Sequence, residues 1–317
     1  MPRHKYSKFV IHNMKNIKKI NGLIAAPFTA FDKKDQINLG MVKEQQAMYK
    51  RNGLSGVFIC GTTGESSALT LKEKKLLYKE WSKYKEPGFT IIAFLGGTCV
   101  KECQELAIYA QECGLDAVSI TAPYYFKPSN VEALALFCQE VASVVPEMPF
   151  FYYHIPCFTS VNFPMINLLN RMDELIPNLA GIKYTFENMM DYQLCLNFKN
   201  RKYNILWGRD EMLLPALSIG ATSAVGSTYG YLAPVYLNII KLYQEKKLEE
   251  AAEAQLTANK FITILDKFGG GCGKAYMKAV GLDLGKHRAP VTNLTEKEYA
   301  ELSEILASMD FTKYCNK

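Results

Sequence analysis

Lys183 poses the sharpest chemical question in this chain. It interrupts the apolar run LAGIKYT at residues 179–185. A strand with that pattern is covered on both faces, so the lysine points either into an interior or outward beneath a helix. Both placements desolvate the ammonium and lower its pKa. At its ordinary value near 10.4 a lysine is uncharged in only about one molecule in 2,500 at pH 7, and burial raises that fraction by orders of magnitude. The neutral amine is then a nucleophile toward ketones. The competing assignment is a lysine at a strand end paired with a carboxylate, with no chemistry of its own.

Other groups have the same double character. In GTTGE, residues 61–65, glycines flank two hydroxyls. The free backbone amides with Thr62 and Thr63 suit a carboxylate ligand held without arginine; alternatively this is a tight turn with Glu65 as a structural acceptor. Tyr153 is one of 19 tyrosines, and packing alone accounts for most such residues. Asp210 and Glu211 open a predicted helix, where acids are favoured by the dipole in any case. Pro123-Tyr124-Tyr125 reads as a strand end with rim packing.

These residues become a set through the elements that position them. Strand-like runs begin near Gly22, Ser55, Thr90, Asp116, Met148, Leu179, Tyr203 and Ala221. Helical segments between them include 38–52, 71–85, 101–113, 130–145 and 211–219, and QECG and LSIG end two of them with glycine. Eight strands each followed by a helix predict an α/β fold, a (β/α)8 TIM barrel. No strand signal follows residue 235; helices are expected at 235–246, 248–267, 273–281 and 295–309. The organisation is then a basic, partly disordered extension at 1–20, a barrel at 21–234 and a C-terminal helical extension at 235–317. An open doubly wound sheet is the alternative, but no GxGxxG follows the first strand. Barrel sites form where strands end, so GTTGE, Tyr152-Tyr153-His154-Ile155-Pro156, Lys183 with Thr185, Gly208-Arg209-Asp210-Glu211 and Gly226-Ser227 are expected to converge on one mouth.

Composition narrows the function classes. The chain has 317 residues and a net charge of +6, and residues 1–20 alone hold six basic residues and no acid. The remaining body is neutral, so a nucleic-acid role has no broad electrostatic footprint. No apolar stretch is long enough to span a membrane. Nine cysteines without a CxxC pair and four scattered histidines read as reduced core thiols and no dedicated zinc site. The leader lacks the apolar core of a secretory signal, Met14 would make a natural start after an unstructured 1–13, and the body is expected to be cytoplasmic.

The order GTTGE, YHIP, GIKYT, GRDE, GATSAVGST, in register with strands two, five, six, seven and eight, resembles the pyruvate-dependent class I aldolases, the family of dihydrodipicolinate synthases and N-acetylneuraminate lyases. The resemblance spans roughly residues 20–310. It implies a Schiff-base lysine at Lys183, a proton donor and acceptor at Tyr153, and a carboxylate-binding pair at Thr62 and Thr63. It leaves open whether Tyr124 or Tyr125 joins a proton relay. The synthases usually carry an arginine two residues after the proline of the YHIP-like motif; here that residue is Phe158, which cannot hold a second carboxylate. Thr185, Gly208, Asp210, Glu211 and Ser227 match instead the sugar-binding set of the lyase branch, where carboxylates accept hydrogen bonds from polyol hydroxyls. The implied substrates are small molecules, N-acetylneuraminate against N-acetylmannosamine plus pyruvate, with no metal or organic cofactor and a homotetrameric assembly. A related aldolase for 2-keto-3-deoxy sugar acids lacking the N-acetyl group is the near alternative. A catalytically inactive barrel that binds a keto or sugar acid is the distant one.

Overall fold

The structure, a computed structural model, describes residues 17–317. Its strands are β1 (Gly22–Ala25), β2 (Gly56–Ile59), β3 (Thr90–Gly96), β4 (Ala117–Thr121), β5 (Phe150–His154), β6 (Leu179–Tyr184), β7 (Asn204–Trp207) and β8 (Ser223–Gly226). Each pairs in parallel with the next, and β8 pairs with β1, so the barrel closes. Between strands run α1 (Gly40–Arg51), α2 (Leu71–Ser82), α3 (Val100–Glu112), α4 (Val131–Ala142), the one-turn α5 (Pro156–Thr159), α6 (Met165–Leu175), α7 (Met189–Asn197) and α8 (Leu213–Ser218). After β8 come α9 (Tyr229–Gln244), α10 (Leu248–Phe268), α11 (Cys272–Ala279), α12 (Glu296–Ser308) and α13 (Phe311–Tyr314). Among the described residues no helix is long and apolar enough to cross a membrane.

Local signals set the helix limits. Thr70 and Glu73 form a reciprocal cap on α2, as Thr295 and Glu298 do on α12, satisfying first-turn amides. Gly114 and Gly220, with φ of +70° and +104°, follow α3 and α8 and end them as the sequence indicates. The helix expected from 235 begins earlier, at Tyr229. A kink at Leu232 places Pro234 in the first turn of the second segment, where a missing amide costs nothing.

Two apolar layers follow from strand alternation. Outward side chains such as Val57, Ile91, Tyr152, Ile182 and Trp207 pack beneath the helices. Inward ones, including Ile24, Phe58, Ile92, Phe94, Phe151, Tyr153, Leu206 and Val225, fill the barrel. Residues 1–16 of the basic leader lie outside the described residues. Ile17 and Ile20 pack against the inner cluster, and between them Lys19 Nζ donates to the carbonyls of Arg201, Lys202 and Tyr203 at 2.5, 2.8 and 3.1 Å. This segment closes the barrel floor, so the functional opening lies at the other end.

One irregularity decides where Lys183 points. Phe150 pairs with Leu179 but Phe151 with Gly181, which leaves Ala180 as an extra residue. Strict alternation from the outward Leu179 would turn Lys183 outward as well. The bulge reverses parity: Ile182 and Tyr184 join the outer layer while Lys183 enters the barrel. Gly181 permits this, because at its φ of +155° a Cβ would lie 1.8 Å from the Asn204 carbonyl oxygen.

Gly181→Ala should therefore destabilise the fold by about 2 kcal/mol or more, the scale of overpacking plus backbone strain. Gly88→Ala is the control, since φ there is +85° but a Cβ meets nothing within 4 Å. Denaturant midpoints of the two variants check this; equal losses would show that the bulge is not held by steric exclusion.

Candidate active site

Inside the barrel, Lys183 is only 4% exposed. Its Nζ lies 4.1 Å from the Phe58 ring centroid and 4.0 Å from that of Tyr153, its partner in register on β5. Burial among these rings lowers the amine from 10.5 to about 7, against the opposing pull of the Asp210 anion. At pH 7 about half of such amines are uncharged.

Tyr153 also faces inward. Its hydroxyl is 3.4 Å from Thr62 Oγ1. Burial pushes the phenol up to about 12, and the hydroxyls of Thr62 and Thr185 work the other way. Thr62 and Thr63 ride on a turn flanked by left-handed residues, Cys60 at φ +54° and Glu65 at φ +59°. Such non-glycine conformations cost on the order of 1 kcal/mol each. The turn is closed by Glu65 N donating to Thr62 O at 3.0 Å and Ser66 N donating to Gly61 O at 3.1 Å.

The ends of β6, β7 and β8 interlock through absent side chains. A Cβ on Gly208 would sit 1.9 Å from Thr185 Oγ1, and one on Gly226 would sit 2.0 Å from Asp210 Oδ1. Each glycine makes room for a polar group presented by the preceding strand end. The buried Asp210 carboxylate accepts from the Thr228 amide at 2.9 Å and its hydroxyl at 2.7 Å. Burial raises it to about 6, although Thr228 and Lys183 favour its ionised form. On the rim Arg209 pairs with Glu187 and, at 3.3 Å, with Glu211.

These groups surround one cleft of about 200 Å³. Thr62, Thr63, Tyr153, Lys183, Thr185, Gly208, Asp210, Glu211 and Ser227 all line it. Two residues of the motifs expected at the mouth face away from it. His154 points outward by alternation and is buried among Tyr152, Tyr184 and Phe186, where desolvation lowers its pKa to about 3. Glu65 turns away to Lys274 and His287. Tyr124 and Tyr125, which the resemblance left unassigned, are 45% and 80% exposed and are not among the residues lining the cleft. Arg209 lines the cleft with the rest of its motif, and residues not anticipated as site components include Thr228, and Ile262 and Leu265 of α10. The Ser-Thr pair at 227–228 carried a signal for the first; nothing local marks the α10 pair. Among the described residues no three His, Cys, Asp or Glu side chains are placed to hold a metal ion.

Residues 19–309 match the model of the dihydrodipicolinate synthetase family. The chain belongs to that family. Among its relatives within the family, the N-acetylneuraminate lyase of Mus musculus is 35% identical over 93% of this chain and 94% of the relative. The Proteus mirabilis N-acetylneuraminate lyase structure superposes with a TM-score of 0.90 at 32% identity, covering 93% of this chain and 100% of that one. A Ruminococcus gnavus sialic acid aldolase, solved as a catalytic lysine mutant, gives a TM-score of 0.85 at 27% identity, covering 93% and 97%.

The amine environment is testable without any substrate. Labelling of Lys183 by a small amine-directed reagent, followed by peptide mass mapping, should rise through a midpoint near pH 7, and Asp210→Asn should move that midpoint lower by removing a charge that favours the ammonium. A midpoint near 10, where surface lysines titrate, would contradict the desolvated setting.

Proposed function

We propose that this chain cleaves N-acetylneuraminate reversibly to N-acetylmannosamine and pyruvate through a Lys183 Schiff base. The observation that carries this reading is an inward, desolvated amine beside a buried phenol, in a cleft lined by both hydroxyls and carboxylates. The lyase relatives support the sugar acid as substrate. So does Phe158, which is 67% exposed at the place where the family's synthases carry an arginine.

The chemistry follows from the placement. Thr62 and Thr63 hold the C1 carboxylate and bring the C2 ketone to Lys183 Nζ. The amine adds to C2; Tyr153 gives its proton to the departing hydroxyl, which leaves as water, and a protonated imine remains. The resulting phenolate, basic because it is buried, takes the C4 hydroxyl proton with help from the substrate carboxylate. The C4–O electrons form the aldehyde of N-acetylmannosamine, and those of the C3–C4 bond flow to the imine nitrogen as an enamine. Tyr153 returns a proton to C3, and water hydrolyses the imine to pyruvate and free Lys183. Asp210, Glu211, Thr185 and Ser227, with the Gly208 backbone, receive the polyol. A homotetramer in the cytoplasm is the assembly and place this reading carries with it.

Borohydride with pyruvate should add to the Lys183 peptide the mass of pyruvic acid less one oxygen atom, and Lys183→Ala should show neither adduct nor turnover while leaving the fold intact by circular dichroism. An unmodified Lys183 peptide sinks the mechanism. Pyruvate release from N-acetylneuraminate should exceed release from a 2-keto-3-deoxy sugar acid lacking the acetamido group; the reverse order reassigns the substrate.

Tyr153→Phe should lower kcat by about 10² or more, the usual scale of general acid–base catalysis. A near-normal kcat would mean that another group moves the proton.

A further inference from the structure

Glu65 stands two residues beyond Thr63 and faces away from the cleft, yet it is buried and held by three partners. Its Oε1 is 2.9 Å from Lys274 Nζ and 3.0 Å from His287 Nδ1, and its Oε2 accepts the Arg288 amide at 2.9 Å. Lys274 and Glu65 are 3% and 6% exposed as side chains. Lys274 Nζ also donates to the Lys286 carbonyl at 2.9 Å, and the Arg288 side chain reaches Ala68 O at 2.9 Å and Glu73. Burial pushes the Glu65 carboxyl up, but His287, Lys274 and the Arg288 amide together bring it below its ordinary value, so it stays ionised.

This cluster does more than fasten a helix. The turn it grips has a left-handed residue at each end and carries both threonines of the cleft. A conformation that the local backbone disfavours persists only when its surroundings over-determine it. Here all three donors to Glu65 come from the segment after α10. A buried ion pair is weak support for stability as such, and its best-attested use is to fix one arrangement among several.

We propose that Glu65 is a positioning residue for the Thr62–Thr63 turn, and that Lys274 and His287 hold it so that the turn receives the carboxylate of the keto acid. This rests on the pyruvate-imine reading of the same site. It predicts that the far C-terminal segment sets affinity for the carboxylate end of the substrate without touching it.

The test is a saturation curve for borohydride trapping of pyruvate on the full chain. Glu65→Gln keeps the shape and the acceptor for Arg288 but loses the charge; Lys274→Met removes one donor and leaves an apolar stem against Phe31, whose ring centroid is 4.5 Å from Nζ. Each should raise the half-saturating pyruvate concentration ten-fold or more, with full adduct yield at saturation and an unchanged pH midpoint for trapping. Loss of yield in proportion to loss of folded protein, with half-saturation unaltered, would reduce the cluster to a structural staple and overturn the proposal. If Glu65→Gln does not fold, Lys274→Met decides by the same criterion. No adduct in the unaltered chain would overturn the imine reading and this inference with it; a normal curve there with unmoved variants would overturn the positioning role alone.

Discussion

Keeping one ammonium out of water is the constraint on which this architecture turns. An ordinary lysine holds its proton to about 10.5, whereas Lys183 gives it up near 7. Between those values the unfolded chain binds more protons than the folded one, so stability rises with pH across that window and is lowest below it. At pH 7 the difference costs about 4 kcal/mol of folding free energy, a large share of what a domain of this kind retains. The cost is offset by a double-layered core in which Trp207, Tyr184, Tyr192 and many aliphatic side chains are almost wholly excluded from solvent.

The same constraint explains why the site is built from glycines as much as from polar side chains. Desolvating Lys183 requires walls close to it, and close walls leave no room for ordinary residues behind the functional ones. Gly181 lets the strand bulge, Gly208 makes room for Thr185, and Gly226 makes room for Asp210. Asp210 in turn supplies a negative charge that opposes complete neutralisation of the amine. The lysine near 7 and the carboxyl near 6 are thus poised against each other by geometry that a single added methyl would disturb.

Much of this was legible in the residues. The eight apolar runs gave the strands because buried parallel strands need no polar alternation, and the polar residue ending each run gave the cleft because barrel strands all point their ends one way. What could not be read was parity. Whether Lys183 looks inward depends on the extra residue Ala180, and a bulge of one residue has no reliable local signature beyond the glycine beside it. His154 falls outside the cleft for the related reason that a motif at a strand end does not by itself carry its odd–even position on β5. The role of Glu65 was hidden because its partners lie more than 200 residues away, in a segment whose own pattern announces only helices and turns.

That distant segment bears on the cleft at two places. From α10, the Gln255 side-chain amide donates to the Asp210 carbonyl at 3.2 Å while its oxygen accepts the Leu214 amide at 3.0 Å, and Ile262 and Leu265 add apolar lining to the cleft. From α11 and the chain after it, Lys274 and His287 reach the opposite turn. A bare barrel would present the nucleophile but leave the strained threonine turn and the buried aspartate without their outer supports. The strand ends place Lys183 and Tyr153, and the C-terminal helices support the groups on either side of them. In the proposed reaction, binding energy gathered at the polyol of the substrate can bear on its carbonyl only if that spacing does not yield.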